Sequence, residues 1–235
     1  MRRKAYLLAG PTASGKSDIA AALAREMGAR ILSADSMLVY KGMDIGTAKP
    51  SREEIAEFGM GGVDIVTPAE EFSSGAWLRA AAAWAKTVPE TTPIVIVGGT
   101  GLYFSALLRG LDRKWVLPAP EYPVLDVPRD LLRERIAGRL DKMYALGLDE
   151  EKRRLHEKYP RWSRTASLAI GYREGDTKEK IFVRTCQLAK RQATWFRHQA
   201  TPIWVEASVD AVRACWKEKG PWEVVFAETE TESAQ

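Results

Sequence analysis

One short segment near the start of the chain restricts its fold more than any other feature. Residues 10–17 carry the pattern Gly-x-x-x-x-Gly-Lys-Ser, after an apolar run at 5–9 and before a helical pattern that extends to Met27. This order of strand, glycine-rich loop and helix is typical of a phosphate-binding loop. The predicted diphosphate ligands are Gly10, Pro11, Thr12, Ala13, Ser14, Gly15, Lys16 and Ser17.

The residue types in this loop explain why it suits phosphate. Gly10 and Gly15 reach backbone torsion angles that other residues avoid, so that successive amide N–H groups can point at one anion. Lys16 adds a cation for the outer phosphate, and the N-terminus of the following helix adds a partial positive charge. The hydroxyl of Ser17 is the expected ligand of Mg²⁺, which is the predicted cofactor. The loop predicts binding of a diphosphate or triphosphate and leaves open what is done with it.

Composition narrows the class of protein. With 46% hydrophobic and 28% charged residues among 235, the chain has the composition of a soluble globular protein with one large domain. No apolar stretch approaches the length of a membrane span, and the run before the phosphate loop is too short for a signal peptide. Two cysteines and two histidines predict neither a disulfide framework nor a zinc site. We expect a cytoplasmic monomer without membrane contact.

Basic residues crowd the second half of the chain, although the net charge is only +4. They begin at Arg129 and continue to Arg197, with Trp162 and Trp195 among them. Such a distribution is typical of solvated helix faces and equally of a surface that meets a polyanion such as RNA. The charge pattern leaves both interpretations open.

Strand and helix patterns alternate along the chain. The predicted strands span 4–9, 30–34, 63–66, 93–97, 124–127 and 204–207, and the predicted helices span 16–27, 51–58, 73–86, 102–111, 128–146, 149–158 and 178–199. The alternation predicts an α/β fold of the P-loop NTPase-like class, a doubly wound parallel sheet flanked by helices with a helical C-terminal portion.

The same patterns predict four parts of the chain. Residues 1–111 form the P-loop α/β core, and 112–123 form a proline-rich linker. Residues 124–207 form a helical region that completes the core. Residues 208–235 form a C-terminal tail, whose acidic and polar end is disordered.

Two polar residues stand directly after predicted strands. Asp35 follows the strand at 30–34, and Thr100 follows the strand at 93–97 and two glycines. Because parallel strands present ligands at their carboxyl ends, both residues should face the phosphate loop across one cleft. Asp35 suits a general base or a partner of the metal, and otherwise a turn residue. Thr100 suits an anion contact or a helix N-cap.

Five motifs, in this order, resemble the tRNA dimethylallyltransferase family. The resemblance covers residues 5–111 and 124–205. The motifs are Gly-Pro-Thr-Ala-Ser-Gly-Lys-Ser at 10–17, Ser-Ala-Asp-Ser-Met-Leu-Val-Tyr-Lys-Gly-Met-Asp-Ile-Gly-Thr-Ala-Lys-Pro at 33–50, Gly-Gly-Thr-Gly-Leu-Tyr at 98–103, Ala-Ile-Gly-Tyr-Arg-Glu at 169–174 and Ala-Lys-Arg-Gln-Ala-Thr-Trp-Phe-Arg at 189–197.

The resemblance implies a prenyl transfer. A dimethylallyl group would pass from dimethylallyl diphosphate to N6 of adenosine 37, in the anticodon loop of tRNA, and diphosphate would leave. Asp35 would accept the N6 proton, and Thr100 and Arg191 would join the phosphate loop in neutralising the diphosphate. The residues expected to contact tRNA are Ser36, Met37, Leu38, Arg173, Gln192 and Arg197.

The chain departs from the family pattern at two places. The family carries a basic helical insertion where this chain has only 112–123, and it generally has Gln where this chain has Leu38. The shorter length leaves open prenylation of a free adenine nucleotide, as by the adenylate isopentenyltransferases. A kinase of a small metabolite and a non-catalytic relative that binds a nucleotide or RNA also remain open.

Overall fold

A mainly parallel β-sheet flanked by helices forms the core of the protein in a computed structural model, which describes residues 2–110, 121–173, 175–199 and 201–226. The strands are β1 (Arg2–Ala9), β2 (Arg30–Ala34), β3 (Ile94–Gly98), β4 (Tyr122–Asp126), β5 (Pro202–Glu206) and β6 (Trp222–Val225). The helices are α1 (Lys16–Met27), α2 (Arg52–Glu57), α3 (Ser74–Thr87), α4 (Gly101–Arg109), α5 (Arg129–Ala145), α6 (Leu148–Lys158), α7 (Lys178–Arg197) and α8 (Val209–Lys219).

The order of the strands confirms a doubly wound sheet. Five strands lie in the order β2-β3-β1-β4-β5, and their pairings are parallel. The chain moves from β1 outward to β2 and then returns through β3 and β4 to β5. Right-handed crossovers therefore place α1 and α8 on one face and α3, α4 and α7 on the other, and the packing of α1 on α8 and of α3 on α4 agrees.

The winding direction reverses between β1 and β3, and this reversal positions the site. The register pairs Leu8 with Val97 and Ala9 with Gly98, so both strands end at the same level. The loops that follow them diverge to opposite faces and leave a crevice at the carboxyl edge of the sheet. The apolar residues of both strands are buried, as expected for a parallel sheet covered on two sides.

Three helices close the crevice from the far side. Helix α5 packs on α6 and α7, and α7 packs on α4. The apolar residues Leu132, Ile136, Leu140 and Met143 form the buried stripe of α5, at the spacing of a helix with one covered face. This layer is the helical portion predicted for the second half of the chain.

The region predicted as a C-terminal tail is structured as far as Phe226. Ser208 caps α8 through a bond from the Ala211 N–H to its hydroxyl, and β6 pairs antiparallel with the first half of β1. The prediction of a tail from residue 208 was therefore wrong for 208–226, because Trp216 and Trp222 supply apolar surface that the sheet buries. The predicted disordered end lies outside the described residues.

Two other boundaries differ from prediction. Residues 63–66 form no strand, since the chain meets β2 at Gly61 and then turns away where Gly62 and Asp64 take positive φ angles of 79° and 49°. Strand β4 begins at Tyr122, inside the predicted linker. Residues 112–120 of that linker lie outside the described residues.

Candidate active site

The phosphate-binding loop has the predicted form. It leaves β1 after Ala9, turns through a bond from the Ser14 N–H to the Pro11 carbonyl at 3.2 Å, and enters α1 at Lys16. Gly15 stands at the N-cap with φ 88°, a conformation that favours glycine. Lys16 donates to the Pro11 carbonyl at 3.3 Å, and no partner bonds the buried Ser14 hydroxyl within the described structure. The loop is a cradle of donors with room for an anion.

Thr100 links the ends of β2 and β3. Its hydroxyl accepts the Ser36 N–H at 2.9 Å and donates to the Ser36 hydroxyl at 3.3 Å, and its own N–H donates to the Ala34 carbonyl at 3.1 Å. Thr100 occupies the N-cap position of α4 but makes no capping bond with its side chain. The interpretation of Thr100 as a simple helix cap is therefore excluded.

Asp35 lies at the carboxyl end of β2. One carboxylate oxygen, Oδ1, accepts the Met37 N–H at 2.9 Å, which fixes a local turn and leaves the other oxygen without a described partner. The negative charge of Asp35 acts on Lys16, Tyr103 and Arg139. Asp35 therefore stands within electrostatic reach of the cradle.

Two cavities meet at Asp35. The first, here the cradle cavity, has a volume of about 700 Å³ and is lined by Lys16, Ser17 and the rest of residues 12–19. The second, here the α7 cavity, has a volume of about 600 Å³ and lies between residues 99–102 and α5 and α7. Thr12, Asp35, Thr47 and Arg139 line both cavities, so these four residues mark a junction between the two spaces.

Helix α5 contributes two arginines to the cradle that sequence reasoning did not assign. Arg139 donates to the Thr12 hydroxyl at 2.8 Å, and Arg135 donates to the Ser14 carbonyl at 3.2 Å. They are four residues apart and therefore on one side of the helix, beside its buried stripe. That spacing next to an apolar stripe was the signal available in the sequence.

Gln192 on α7 joins the two glycine-rich loops. Its side-chain oxygen accepts the Thr12 N–H at 2.7 Å, and its side-chain nitrogen donates to the Gly99 carbonyl at 3.0 Å. The resemblance assigned Gln192 to tRNA contact, whereas the structure gives both ends of its amide partners within the protein. The sequence spacing explains this inward position. Gln192 lies three or four residues from Ala189 and Phe196, on the same buried face of α7.

The cations of the cradle are perturbed in ways that suit an anion. Burial lowers the pKa of Lys16 to about 8, the charge of Asp35 opposes this shift, and Arg139 adds to it. Burial also lowers the pKa of Arg139, again against the effect of Asp35. An anion bound between these groups would relieve their mutual repulsion and restore their proton affinity.

The remaining predicted site residues are divided among three places. Leu38 lines the cradle cavity, and Arg197 lies near Asp126 and over the Trp204 ring, away from both cavities. The contact predicted for Arg197 is therefore not supported by its position. Of the predicted site residues, six others line the α7 cavity, namely Ser36, Met37, Thr100, Arg173, Arg191 and Gln192.

This division separates the predicted site residues between the two cavities. Lys16 and Ser17 line the cradle cavity, while Thr100 and Arg191 lie on the far side of the junction. Arg135 and Arg139 contact the phosphate loop directly, from the side of the cradle formed by α5.

The residues present fit a magnesium ion only together with a phosphate ligand. Within the described ranges, no three His, Cys, Asp or Glu side chains form a group that would hold a metal ion by themselves. Mg²⁺ is commonly bound by one or two protein oxygens plus phosphate oxygens and water. The Ser17 hydroxyl, with Asp35 nearby, is a donor set of that kind.

Among the described helices, none is long and apolar enough to cross a membrane.

Comparison with known proteins gives one consistent family. The model of the IPP transferase family matches residues 38–123 and 119–199, and that of the isopentenyl transferase family matches residues 3–59. The tRNA dimethylallyltransferase of Thioalkalivibrio sulfidiphilus is 32% identical, with 84% of this chain and 88% of that protein covered. The tRNA dimethylallyltransferase of Nautilia profundicola is also 32% identical, with 83% and 92% covered.

A solved structure shows the same fold. The tRNA isopentenylpyrophosphate transferase of Bacillus halodurans superposes with a TM-score of 0.77 at 26% identity, over 87% of this chain and 90% of that one.

The comparison also shows where this chain is shorter. The alignment with the Thioalkalivibrio protein extends over 281 positions, more than the 235 residues of the whole chain. That relative therefore carries residues without a counterpart here. The match to the IPP transferase model is divided at residues 119–123, beside the proline-rich segment.

Proposed function

The chain belongs to the IPP transferase family, and we propose that it transfers a dimethylallyl group from dimethylallyl diphosphate to N6 of adenosine 37 in the anticodon loop of tRNA. The observation that carries this proposal is the junction of the two cavities at Asp35 and Arg139. A transferase needs a donor and an acceptor to reach one point from different sides.

The cradle cavity suits the donor. Amide N–H groups at the start of α1, together with Lys16 and Arg139, offer positive charge where a diphosphate would lie. Two hydrogen bonds fix the phosphate loop at Thr12. Its N–H donates to the side chain of Gln192, and its hydroxyl accepts from Arg139. The loop is thereby preorganised before the donor binds, which lowers the cost of binding.

The α7 cavity suits a flipped base. Its lining combines apolar side chains, among them Met37 and Trp195, with the exposed cation Arg191. Leu102 and Leu168 line it as well and are exposed by 63% and 56%. A base extruded from an RNA loop needs such an apolar slot, with cations outside it for the phosphate backbone.

The transfer step follows from these positions. N6 of the adenine attacks C1 of the dimethylallyl group, the C1–O bond breaks, and its electron pair leaves with the diphosphate. The N6 proton passes to the carboxylate of Asp35, which stands at the junction. Lys16 and Arg139 face the charge that develops on the diphosphate, where electrostatic stabilisation has its largest effect.

Magnesium is part of the proposal. Ser17 would hold the ion together with diphosphate oxygens, and the ion would supply further neutralisation of the leaving group. The proposal also expects a monomer, which size-exclusion chromatography would check.

One assay tests the proposal. The protein is incubated with Mg²⁺, dimethylallyl diphosphate and either unmodified tRNA or AMP, and the nucleosides are analysed by mass spectrometry. We expect N6-dimethylallyladenosine from tRNA, none from AMP, and much slower formation of the tRNA product with Asp35→Asn. ATP consumption without prenylation would indicate a kinase, and no turnover of any kind would indicate a non-catalytic relative.

The segment that the relatives carry and this chain lacks favours a second candidate. Without it, less protein surface is offered to an RNA stem, and a free adenine nucleotide needs no such surface. Prenylation of AMP in the assay, with no product from tRNA, would establish this second function in place of the first.

A further inference from the structure

A buried carboxylate lies behind the active site and is not used by the transfer step. Glu151, in the first turn of α6, is only 3% exposed. Its oxygens accept the backbone N–H groups of Asp44 at 3.2 Å, of Ile45 at 3.0 Å and of Gly46 at 3.3 Å. No cation pairs with it within the described part of the chain. A single side chain therefore gathers three successive amides of one loop.

Tyr172 completes this arrangement. Its hydroxyl donates to Glu151 at 2.5 Å and accepts the Gly46 N–H at 2.9 Å. Burial and the charge of Glu151 raise the pKa of Tyr172, so the hydroxyl keeps its proton and remains a donor. A Cβ atom on Gly46 would lie 2.6 Å from the Tyr172 ring, which explains why the loop has glycine at that point.

The loop held in this way, residues 44–49, forms part of both cavities. Thr47 lines the cradle cavity and the α7 cavity, at the junction where Asp35 also lies. The far end of the loop is fixed by Lys49, whose ammonium contacts the carboxylates of Asp44 and Asp64 at 2.7 and 2.6 Å. Glu151 fixes the near end. The loop thus has one defined path past the junction.

Burial of a carboxylate without a cation costs free energy unless donors replace its hydration. Here all the donors come from the loop and from Tyr172, so the arrangement stabilises one conformation of residues 44–46. An apolar residue at 151 would contribute to the core of α6 and leave those amides without acceptors. Glu151 therefore contributes a fixed conformation of the loop.

We propose that Glu151, with Tyr172, is a positioning residue that holds Thr47 at the junction and so aligns donor and acceptor for transfer. The proposal rests on the proposed function for its catalytic part. Its structural part, the constraint on residues 44–46, stands independently and is measured without substrate. A misplacement of about 1 Å near reacting atoms costs about 100-fold in rate, which sets the size of effect to look for.

The test compares Glu151→Gln with Tyr172→Phe and with the control Glu150→Gln. Glu150 is the preceding residue in α6, is exposed, and pairs only with Arg153 among the described contacts. Backbone hydrogen exchange of the peptide containing residues 44–46 is measured by mass spectrometry on each folded variant. We expect exchange there to be at least about 10-fold faster in Glu151→Gln and unchanged in Glu150→Gln, with the sheet peptides unaffected.

Kinetics give the second readout. We expect kcat for transfer to fall about 10- to 100-fold in Glu151→Gln, with the KM for dimethylallyl diphosphate within about 3-fold, because the donors for the diphosphate come from residues 10–17 and α5 and not from residues 44–46. Tyr172→Phe should also lower kcat, by a smaller factor, and leave the KM nearly unchanged. If Glu151→Gln does not fold, the Tyr172→Phe result tests the proposal.

Two results would overturn the proposal. Unchanged exchange at 44–46 would remove the constraint, and faster exchange with unchanged kcat would make Glu151 merely structural. If the wild-type protein transfers no prenyl group, the proposed function fails, while the exchange measurement still decides whether Glu151 holds the loop.

Discussion

The two sides of the cradle are built in different ways. One side is a single run of residues, 10–17, whose donors are mainly backbone N–H groups fixed by glycine torsion angles and by the start of α1. The other side is assembled from α5 and α7, where Arg135, Arg139 and Gln192 reach the loop from more than a hundred residues away. In the proposed function, the first side supplies the contacts to phosphate, and the second decides how firmly the loop is held. Substitutions on each side separate the two contributions.

Substitution at the junction of the two cavities, next to both sides of the cradle, should have the largest effect. Asp35→Asn keeps an acceptor for the Met37 N–H but removes the base, so we expect transfer to slow about 10²- to 10⁴-fold in single-turnover assays. Loss of a negative charge beside Lys16 should leave pyrophosphate binding equal or tighter. The exposed residue Asp130 provides the control Asp130→Asn. Weaker pyrophosphate binding with transfer retained would show that Asp35 serves the cradle alone.

The backbone-built side depends on Lys16 for its charge. Lys16→Met removes a charge-assisted bond of about 1.5–3 kcal/mol, which corresponds to about a 10- to 100-fold weaker binding of pyrophosphate by calorimetry. Lys142→Met, on the exposed face of α5, is the matched control. An unchanged affinity would mean that the amides suffice.

The side of the cradle formed by α5 and α7 is tested by replacing an arginine with another cation of different shape. Arg139→Lys retains a cation but loses the planar fork that reaches Thr12, and we expect about a 10-fold loss of pyrophosphate affinity. Arg129→Lys, at the start of the same helix, should change nothing. If both variants bind like the wild type, the α5 side contributes charge alone, and its geometry does not decide how firmly the loop is held.

The dependence of binding on pH follows from the lowered pKa of Lys16. The ammonium is present below a pH of about 8 and is lost above it. Pyrophosphate affinity should therefore fall above pH 8, by up to about 10-fold per pH unit. Lys16→Arg is the control. Its side chain stays charged throughout, while the titration of pyrophosphate itself affects both proteins equally. A fall of equal slope in both proteins would assign the effect to the ligand.

The smallest effect is expected at Leu38. Because its side chain lines the cradle cavity and not the α7 cavity, Leu38→Gln should change the KM for tRNA by less than about 2-fold. Steady-state kinetics with tRNA as the varied substrate measures this. A large gain in tRNA affinity would show that the position reaches the acceptor after all.

The difference between the two sides also explains what the sequence predicted. The loop at 10–17 and the residues Asp35 and Thr100 follow from local patterns, since each stands directly after a strand whose neighbours are fixed by the fold. Their positions in the structure agree with that reasoning. The doubly wound sheet was predicted for the same reason, from alternation along the chain.

Contacts that depend on how helices pack could not be predicted from local sequence patterns. Arg135 and Arg139 were counted among a crowd of basic residues, and only the path of α5 past the loop separates them from the rest. Gln192 was assigned to tRNA because its motif was known, while its burial depends on how α7 lies on α4. Strand β6 was missed because four residues near the end of a sequence carry little periodicity of their own.

The pairing of β6 with β1 has a consequence for how the protein is made. Arg2 and Glu223, whose side chains meet across these strands, are 221 positions apart. During synthesis on the ribosome, the first strand emerges early and waits for its antiparallel neighbour until nearly all the described chain has been translated. The loop proposed to hold the diphosphate is thus joined to a strand whose edge is covered last, and a nascent chain stalled before residue 222 should bind pyrophosphate more weakly than the released protein.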